Sequence, residues 1–309
     1  MMGSIGYSFV YALFYVFSLL PLRVLYLLSD GLFPVVYHLV CYRRATVRRN
    51  LTEALPEKDL QEIVRIEKRF YHWFLDYFLE TIKLLSISSR KLLRHIEFRN
   101  AEALEECFDE GQSCAALLGH YANWEYLSAT GLSMRRHSDA VMGLIYHPLR
   151  NAVFDRLFIA LREQHGGTAI PKKDILRYLL RYRQEHRMSL FGYIADQSPK
   201  WENIHLWIPF LHHDTPVFTG AERIIRKMNN AVFYVDMERP RRGHYVCTFR
   251  LITREPAQWK EYELTRRFFA MLEESIRREP ACYLWSHDRW KRTHEEYDRR
   301  VREGLIKQR

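Results

Sequence analysis

Cysteine is scarce and scattered. Cys41, Cys107, Cys114, Cys247 and Cys282 include no CxxC pair and make an odd total, which argues against a disulfide framework and for a reducing compartment. Zinc-ligand spacing is missing as well. His212-His213-Asp214 comes nearest, but adjacent side chains seldom converge on one metal, so the triplet reads as a loop. No internal repeat, low-complexity tract or long flexible linker breaks the chain. The first 28 residues also lack charge: between Ile5 and Leu28 the only strong charge is Arg23.

That last scarcity has a consequence. Ser4–Leu20 is almost wholly apolar and aromatic and ends at Pro21. A second apolar stretch, Gly31–Tyr42, ends at Arg43-Arg44, with Arg48-Arg49 beyond. The first stretch lacks the basic start and small-residue cleavage site of a signal peptide. It is marginally long enough to span a bilayer, which takes about 20 residues. A spanning helix, a membrane-embedded hairpin, an interfacial helix and a buried helix pair all stay open. Membrane attachment is the stronger reading, and the arginines after Tyr42 put the main body in the cytoplasm. The expected division is an anchor over 1–42 and a domain over 43–309.

The remainder is rich enough in apolar residues to build a core: 48% of the 309 residues are hydrophobic and 14% aromatic. A formal net charge of +10 admits nucleic acid, an anionic membrane or an acidic partner. Glu57–Leu85 reads as an amphipathic helix opened by Pro56. From Ser113 onward strands (113–119, 140–146, 188–195, 204–210, 231–237, 245–252) alternate with helices (123–136, 150–164, 172–186, 217–229, 258–279). That order predicts an α/β domain with a parallel or mixed sheet. The tail from Arg289 reads as a peripheral charged helix, and Arg239–Arg242 as a turn between strands.

The chemistry-bearing pattern is His120-Tyr-Ala-Asn-Trp-Glu125, set directly after the apolar run Cys114–Gly119. A neutral imidazole can take a proton from a hydroxyl, and a carboxylate on its other nitrogen can orient it. Two positions five apart in one helix lie roughly 140° apart and cannot touch. They meet only if a helix starts between them, with Asn123 as its N-cap. Spacing alone fits a surface helix that happens to carry both residues at least as well.

The neighbouring motifs favour the functional reading. Arg43-Arg44-x-x-Val47-x-Arg49-Asn50-Leu51 with Pro56, His120-x4-Glu125, Tyr146-x-Pro148, Asn151, Asp155, Arg162 and Lys173-Asp174 occur in that order. Ala195-Asp196-Gln197, Pro209-Phe210, Thr215, Gly220 and Tyr283–Lys291 follow. In order and spacing, over most of its length, the chain resembles the late acyltransferases of lipid A biosynthesis, in a Bacteroidetes-type form at Ala-Asp-Gln-Ser-Pro.

The resemblance implies a glycerolphosphate-acyltransferase-like α/β sandwich with a mixed sheet. It implies acyl transfer from acyl carrier protein to the hydroxyl of a 3-hydroxyacyl chain on a lipid A precursor, without cofactor, metal or acyl-enzyme. It makes His120 the general base, Glu125 its orienting partner, Arg162 an electrostatic stabiliser or substrate clamp, and Asp196 a support of site geometry. The expected setting is a monomer on the inner membrane, its site on the cytoplasmic side, meeting an acidic carrier and an anionic glycolipid but no nucleic acid. Two departures bear on the acceptor: His147 stands where arginine is common, and the loop Gln197–Asn203 carries Lys200 and Trp201. Another lipid acceptor, or a non-catalytic lipid-binding protein of the same fold, are the rival readings.

Overall fold

A computed structural model describes residues 2–307. Seven strands form one sheet in the order β1-β9-β8-β2-β5-β3-β4. They are β1 (Ile96–Arg99), β2 (Cys114–Leu118), β3 (Val141–Tyr146), β4 (Gly167–Pro171), β5 (Ser189–Ile194), β8 (Ala231–Arg241) and β9 (His244–Thr253). β8 and β9 pair antiparallel; every other neighbouring pair is parallel. The mixed α/β architecture expected from the alternation is present.

β6 (Trp207–Phe210) and β7 (His213–Pro216) form a separate hairpin. The expected strand 204–210 therefore leaves the main sheet. β2 is the central strand, and all five of its residues are buried, which is why it reads as an unbroken apolar run. β8 shows the alternation that separates the two faces: Val235 lines a slot on one, while Tyr234 reaches Ser275 on the other.

The helices are α1 (Met2–Ser18), α2 (Leu22–Pro34), α3 (Arg44–Ala54), α4 (Leu60–Lys83), α5 (Ser89–Leu92) and α6 (Ala101–Asp109). They continue as α7 (Ala152–Glu163), α8 (Ile175–Gln184), α9 (Gly220–Met228), α10 (Glu263–Arg278) and α11 (His294–Arg302). α4 starts later than expected. Its N-cap is Asp59, whose side chain accepts from the Glu62 N–H, and Pro56 lies in the preceding turn. A 3-10 helix, Trp124–Ser133, replaces the regular helix expected over 123–136.

α1 and α2 have two unlike faces. Val10, Tyr11, Phe14, Phe33 and Val36 pack on the core. The opposite side leaves Phe9, Leu13, Val16, Leu27, Leu39 and Val40 exposed. Leu22–Leu39 is long and apolar enough to cross a membrane, by length and composition.

The seated face is not held by apolar contact alone. α4 buries three carboxylates that receive donors from this segment: Tyr37 on Glu67 (2.8 Å), Ser29 on Asp76 (2.7 Å) and Tyr26 on Glu80 (2.9 Å). Arg239 and Arg242 complete the set by donating to Asp76 from the end of β8 and the turn after it. The turn expected over Arg239–Arg242 is shorter: β8 continues to Arg241, the turn is Arg242-Gly243, and Arg239 and Arg242 are structural. Buried carboxylates stripped of donors are costly. A chain lacking residues 1–34 is therefore expected to aggregate, with a thermal transition well below that of the full chain. A monodisperse, detergent-free protein with an unchanged transition would contradict this.

Candidate active site

β2 and β5 are parallel neighbours in a register that pairs Leu118 with Ile194. Two residues beyond each strand end stand His120 and Asp196, so the register brings them level at the carboxyl edge of the sheet, where ligands bind in open α/β folds. The backbone N–H of His120 donates to Asp196 Oδ2 at 2.9 Å, and His120 Nδ1 lies 2.6 Å from Oδ1. Asp196 is nearly sealed, whereas the imidazole keeps 18% of its side-chain exposure. Gly119, just before the histidine, makes room for Leu272 of α10: a Cβ there would stand 2.7 Å from that side chain.

A carboxylate on Nδ1 makes that nitrogen the proton carrier and leaves Nε2 as the basic lone pair. The nearest polar atom to Nε2 is Gln197 Nε2 at 3.3 Å. The Trp124 ring meets the imidazole edge-on, 5.0 Å between centroids. Sequence reasoning did not single out Gln197 or Trp124, although both lie inside motifs it quoted.

Glu125 does not orient His120. A helix does begin between them, at Trp124, as expected. The Glu125 carboxylate nevertheless faces the end of α7, where Arg162 grips it with a fork: Nε to Oε2 at 2.9 Å and Nη2 to Oε1 at 2.7 Å. The reason is rotation. The tight turn carries Glu125 away from the imidazole, and Asp196 already occupies Nδ1. Asn123 occupies the N-cap position, as expected, but its side chain makes no capping hydrogen bond; its amide donates to Glu80 at 2.7 Å.

The turn is stretched between two supports. Ala122 has a left-handed backbone (φ 53°), uncommon for a residue with a Cβ, and donates its N–H to Cys282 O at 2.8 Å. The N–H of Leu284 returns to His120 O, and Tyr121 bridges to Tyr283. The Tyr283–Lys291 motif is thus the clamp on this turn. Within it Arg289 is buried, and two of its three guanidinium nitrogens have no protein partner.

Asn151 and Asp155 also have structural work: the first caps α7 and the second accepts from the Leu149 N–H. His147 is exposed, its ring against the Pro148 carbonyl.

A narrow slot runs under the 3-10 helix, with about 570 Å³ of empty space between its lining atoms, the solvent at its open mouth included. Trp124, Glu125 and Arg162 stand at it, and the sheet supplies an apolar floor that includes Ala116, Leu144 and Gly192. His120 meets the slot through Trp124. Among the described residues no cluster of three or more His, Cys, Asp or Glu could hold a metal ion.

Charge states follow from burial and partners. Burial pushes the Asp196 carboxyl up, but the imidazole beside it, its two hydrogen bonds to His120 and the nearby Arg289 charge outweigh that, and it lies below the usual carboxylate value. Arg162 loses by burial and gains more from Glu125, so its guanidinium is held charged. Burial pushes the His287 ring down to about 4.

Parallel strands ending in a histidine–aspartate pair, beside an apolar slot at the carboxyl edge of the sheet, make a site of the kind that α/β enzymes carry. Comparison with known families specifies the class. A model described as bacterial lipid A biosynthesis acyltransferase matches residues 1–292, so the chain belongs to that family of acyltransferases. No protein of curated function matches it.

Two predictions arise from this geometry. Glu125→Gln leaves the Arg162 charge buried without its counter-ion and should cost about 3–5 kcal/mol. Adding Arg162→Met should recover part of that, read as the thermal midpoint of the double variant against the single one. An equally unstable double variant would mean that the ion pair is not the source of the loss.

The second concerns acid. His287 has a folded pKa below its unfolded value, so the unfolded chain binds the proton first. Stability should fall as pH drops from about 6.5 towards 4, by on the order of 2–3 kcal/mol for this group. The ring accepts from the Ser198 N–H at 3.4 Å, which protonation would end. His287→Gln should flatten the difference in denaturation midpoint between pH 7 and pH 4.5; an unchanged slope would contradict it.

Proposed function

We propose that the protein transfers a fatty acyl chain from the thioester of acyl carrier protein directly to the hydroxyl of a 3-hydroxyacyl chain on a lipid A precursor. The observation that carries this is the His120–Asp196 pair. With Nδ1 held by Asp196, Nε2 is the ring nitrogen left to accept a proton, on a side chain that is partly exposed and has only the Gln197 amide beside that nitrogen among the described hydrogen bonds. His120 removes the acceptor proton as the oxygen attacks the thioester carbon. A C–O bond forms, the C–S bond breaks, and the imidazolium returns its proton to the leaving thiolate. Asp196, rather than Glu125, holds the ring and balances its charge.

Glu125 then acts through Arg162. The fork uses Nε and Nη2, and Nη1 makes no hydrogen bond among the described residues. That nitrogen is the donor available to negative charge developing on the thioester oxygen. The slot takes the donor acyl chain, each buried CH2 contributing about 0.8 kcal/mol.

The membrane face is the uncovered side of α1 and α2. Because α2 is hydrogen-bonded to α4 by Tyr26 and Ser29, it lies along the body, and an interfacial seat fits this better than a free span. α1 packs on α7, with Phe14 against Phe154, so this face continues towards the helix that carries Arg162. The setting proposed is the cytoplasmic side of the inner membrane, and the net charge of +10 suits an acidic carrier and a phosphorylated acceptor. Exposed His147 in place of the common arginine favours a second reading of the acceptor: a different membrane lipid carrying the same hydroxyl chemistry.

Mass spectra of lipid A from cells with and without the gene, followed by assay of the purified protein with acyl carrier protein thioesters, test this reading. Loss of one secondary acyl chain with the gene is expected. His120→Ala and Asp196→Asn should lower turnover by on the order of 10²–10⁴ while the fold persists. Gly192→Val adds bulk to the slot floor, where a new Cβ would meet Leu118 at 3.7 Å and the Gly143 carbonyl oxygen at 3.8 Å, both ordinary contacts, so it should shorten the preferred donor chain. Unaltered lipid A, or normal turnover by His120→Ala, would refute the proposal.

A further inference from the structure

Glu80 is fully buried near the middle of the molecule and carries three donors from three different parts of the chain. Tyr26 of α2 reaches Oε1 at 2.9 Å. Asn123 and Tyr245 reach Oε2, both at 2.7 Å. Asn123 lies midway in the turn that displays His120 and Glu125. Its own amide oxygen is buried without a partner, so Glu80 alone fixes the amide.

Backbone hydrogen bonds of the turn run to Cys282 and Leu284, while His120 is held by Asp196 and Glu125 by Arg162. A left-handed alanine persists only where its surroundings over-determine it, and Glu80, through Asn123, is one of the groups that do so.

The tyrosine has a dedicated place. Gly243 sits at φ +73°, and a Cβ there would stand 2.1 Å from the Tyr26 hydroxyl oxygen. Only a residue without a side chain leaves the hydroxyl room to reach the carboxylate.

We propose that Glu80 is a positioning residue that couples the seating of the apolar N-terminal helix to the His120–Glu125 turn, with Tyr26 as the link on the helix side. The proposal rests on the acyl-transfer reading for its kinetic consequence, but not for its structural one. Withdrawing Tyr26 frees one oxygen of the carboxylate, and the hold on Asn123 loosens with it. Small displacements of reacting groups are costly in rate. Ser29 provides an internal control. It lies one turn further along α2, is buried, and makes an equivalent 2.7 Å bond to Asp76, whose other partners are Arg239 and Arg242 and not the turn.

The test uses the full chain in vesicles containing anionic phospholipid. Tyr26→Phe should lower kcat about 3–10-fold with KM for the acyl donor unchanged, while Ser29→Ala leaves both unchanged at a similar loss of thermal stability. Glu80→Gln should lower kcat further, and adding Tyr26→Phe to it should cost nothing more. Amide hydrogen exchange over residues 119–126 should quicken in Tyr26→Phe and not in Ser29→Ala. Equal effects of the two helix variants, or additive effects of Tyr26→Phe and Glu80→Gln, would overturn the coupling. A wild-type protein inert on every acyl acceptor would sink the proposed function and leave the exchange comparison to decide this one.

Discussion

The level ending of two adjacent parallel strands is the constraint on which the site depends. β2 and β5 pair Leu118 with Ile194, so the next outward-reaching residues, His120 and Asp196, meet without any help from loop length. Strand register is stiff because a slip of one residue exchanges the two faces of the sheet. A histidine mounted this way owes its orientation to the core. The rest of the turn must then accommodate itself to that fixed point, and it does so by a left-handed residue at Ala122 and a clamp from 282–284.

The second organising feature is the acidic side of α4. Glu67, Asp76 and Glu80 are buried on a helix that otherwise packs aromatic residues, and each carries a donor from the N-terminal segment. Polar groups that are expensive to bury alone become directional when fully satisfied. They give a helix whose outer face is apolar one seat and one rotation. The apolar N-terminus and the catalytic domain are therefore a single packed object, in which the uncovered hydrophobic surface and the site keep a fixed relation.

Much of the element plan was legible because it rests on periodicity. β2, β3, β5, β8 and β9 fall where apolar runs predicted them, and α4, α7, α8, α9 and α10 where helical spacing did. Elements too short to show a period were not: β4, Gly-Thr-Ala-Ile-Pro, is five residues at a sheet edge, and β1 is four. The strand over 204–210 reads as part of the sheet, and His212-His213-Asp214 as a loop, yet Trp207–Phe210 pairs with His213–Pro216 in a separate hairpin; nothing local says which edge a strand will choose. Pro56 looked like a helix start, yet Asp59 had the better capping chemistry.

The sequence by itself placed a histidine and an aspartate each just past an apolar run, a glutamate and an arginine in helical stretches, and an apolar start to the chain. Their candidacy as site residues comes from the family resemblance, and for His120 and Glu125 also from their spacing. Only the tertiary structure decided how they pair. Glu125 is nearest to His120 along the chain and belongs to Arg162; Asp196 is 76 residues away and belongs to His120. Partner choice depends on strand adjacency and on the rotation of a short 3-10 helix. Both are set by packing across the whole core, which no local spacing encodes.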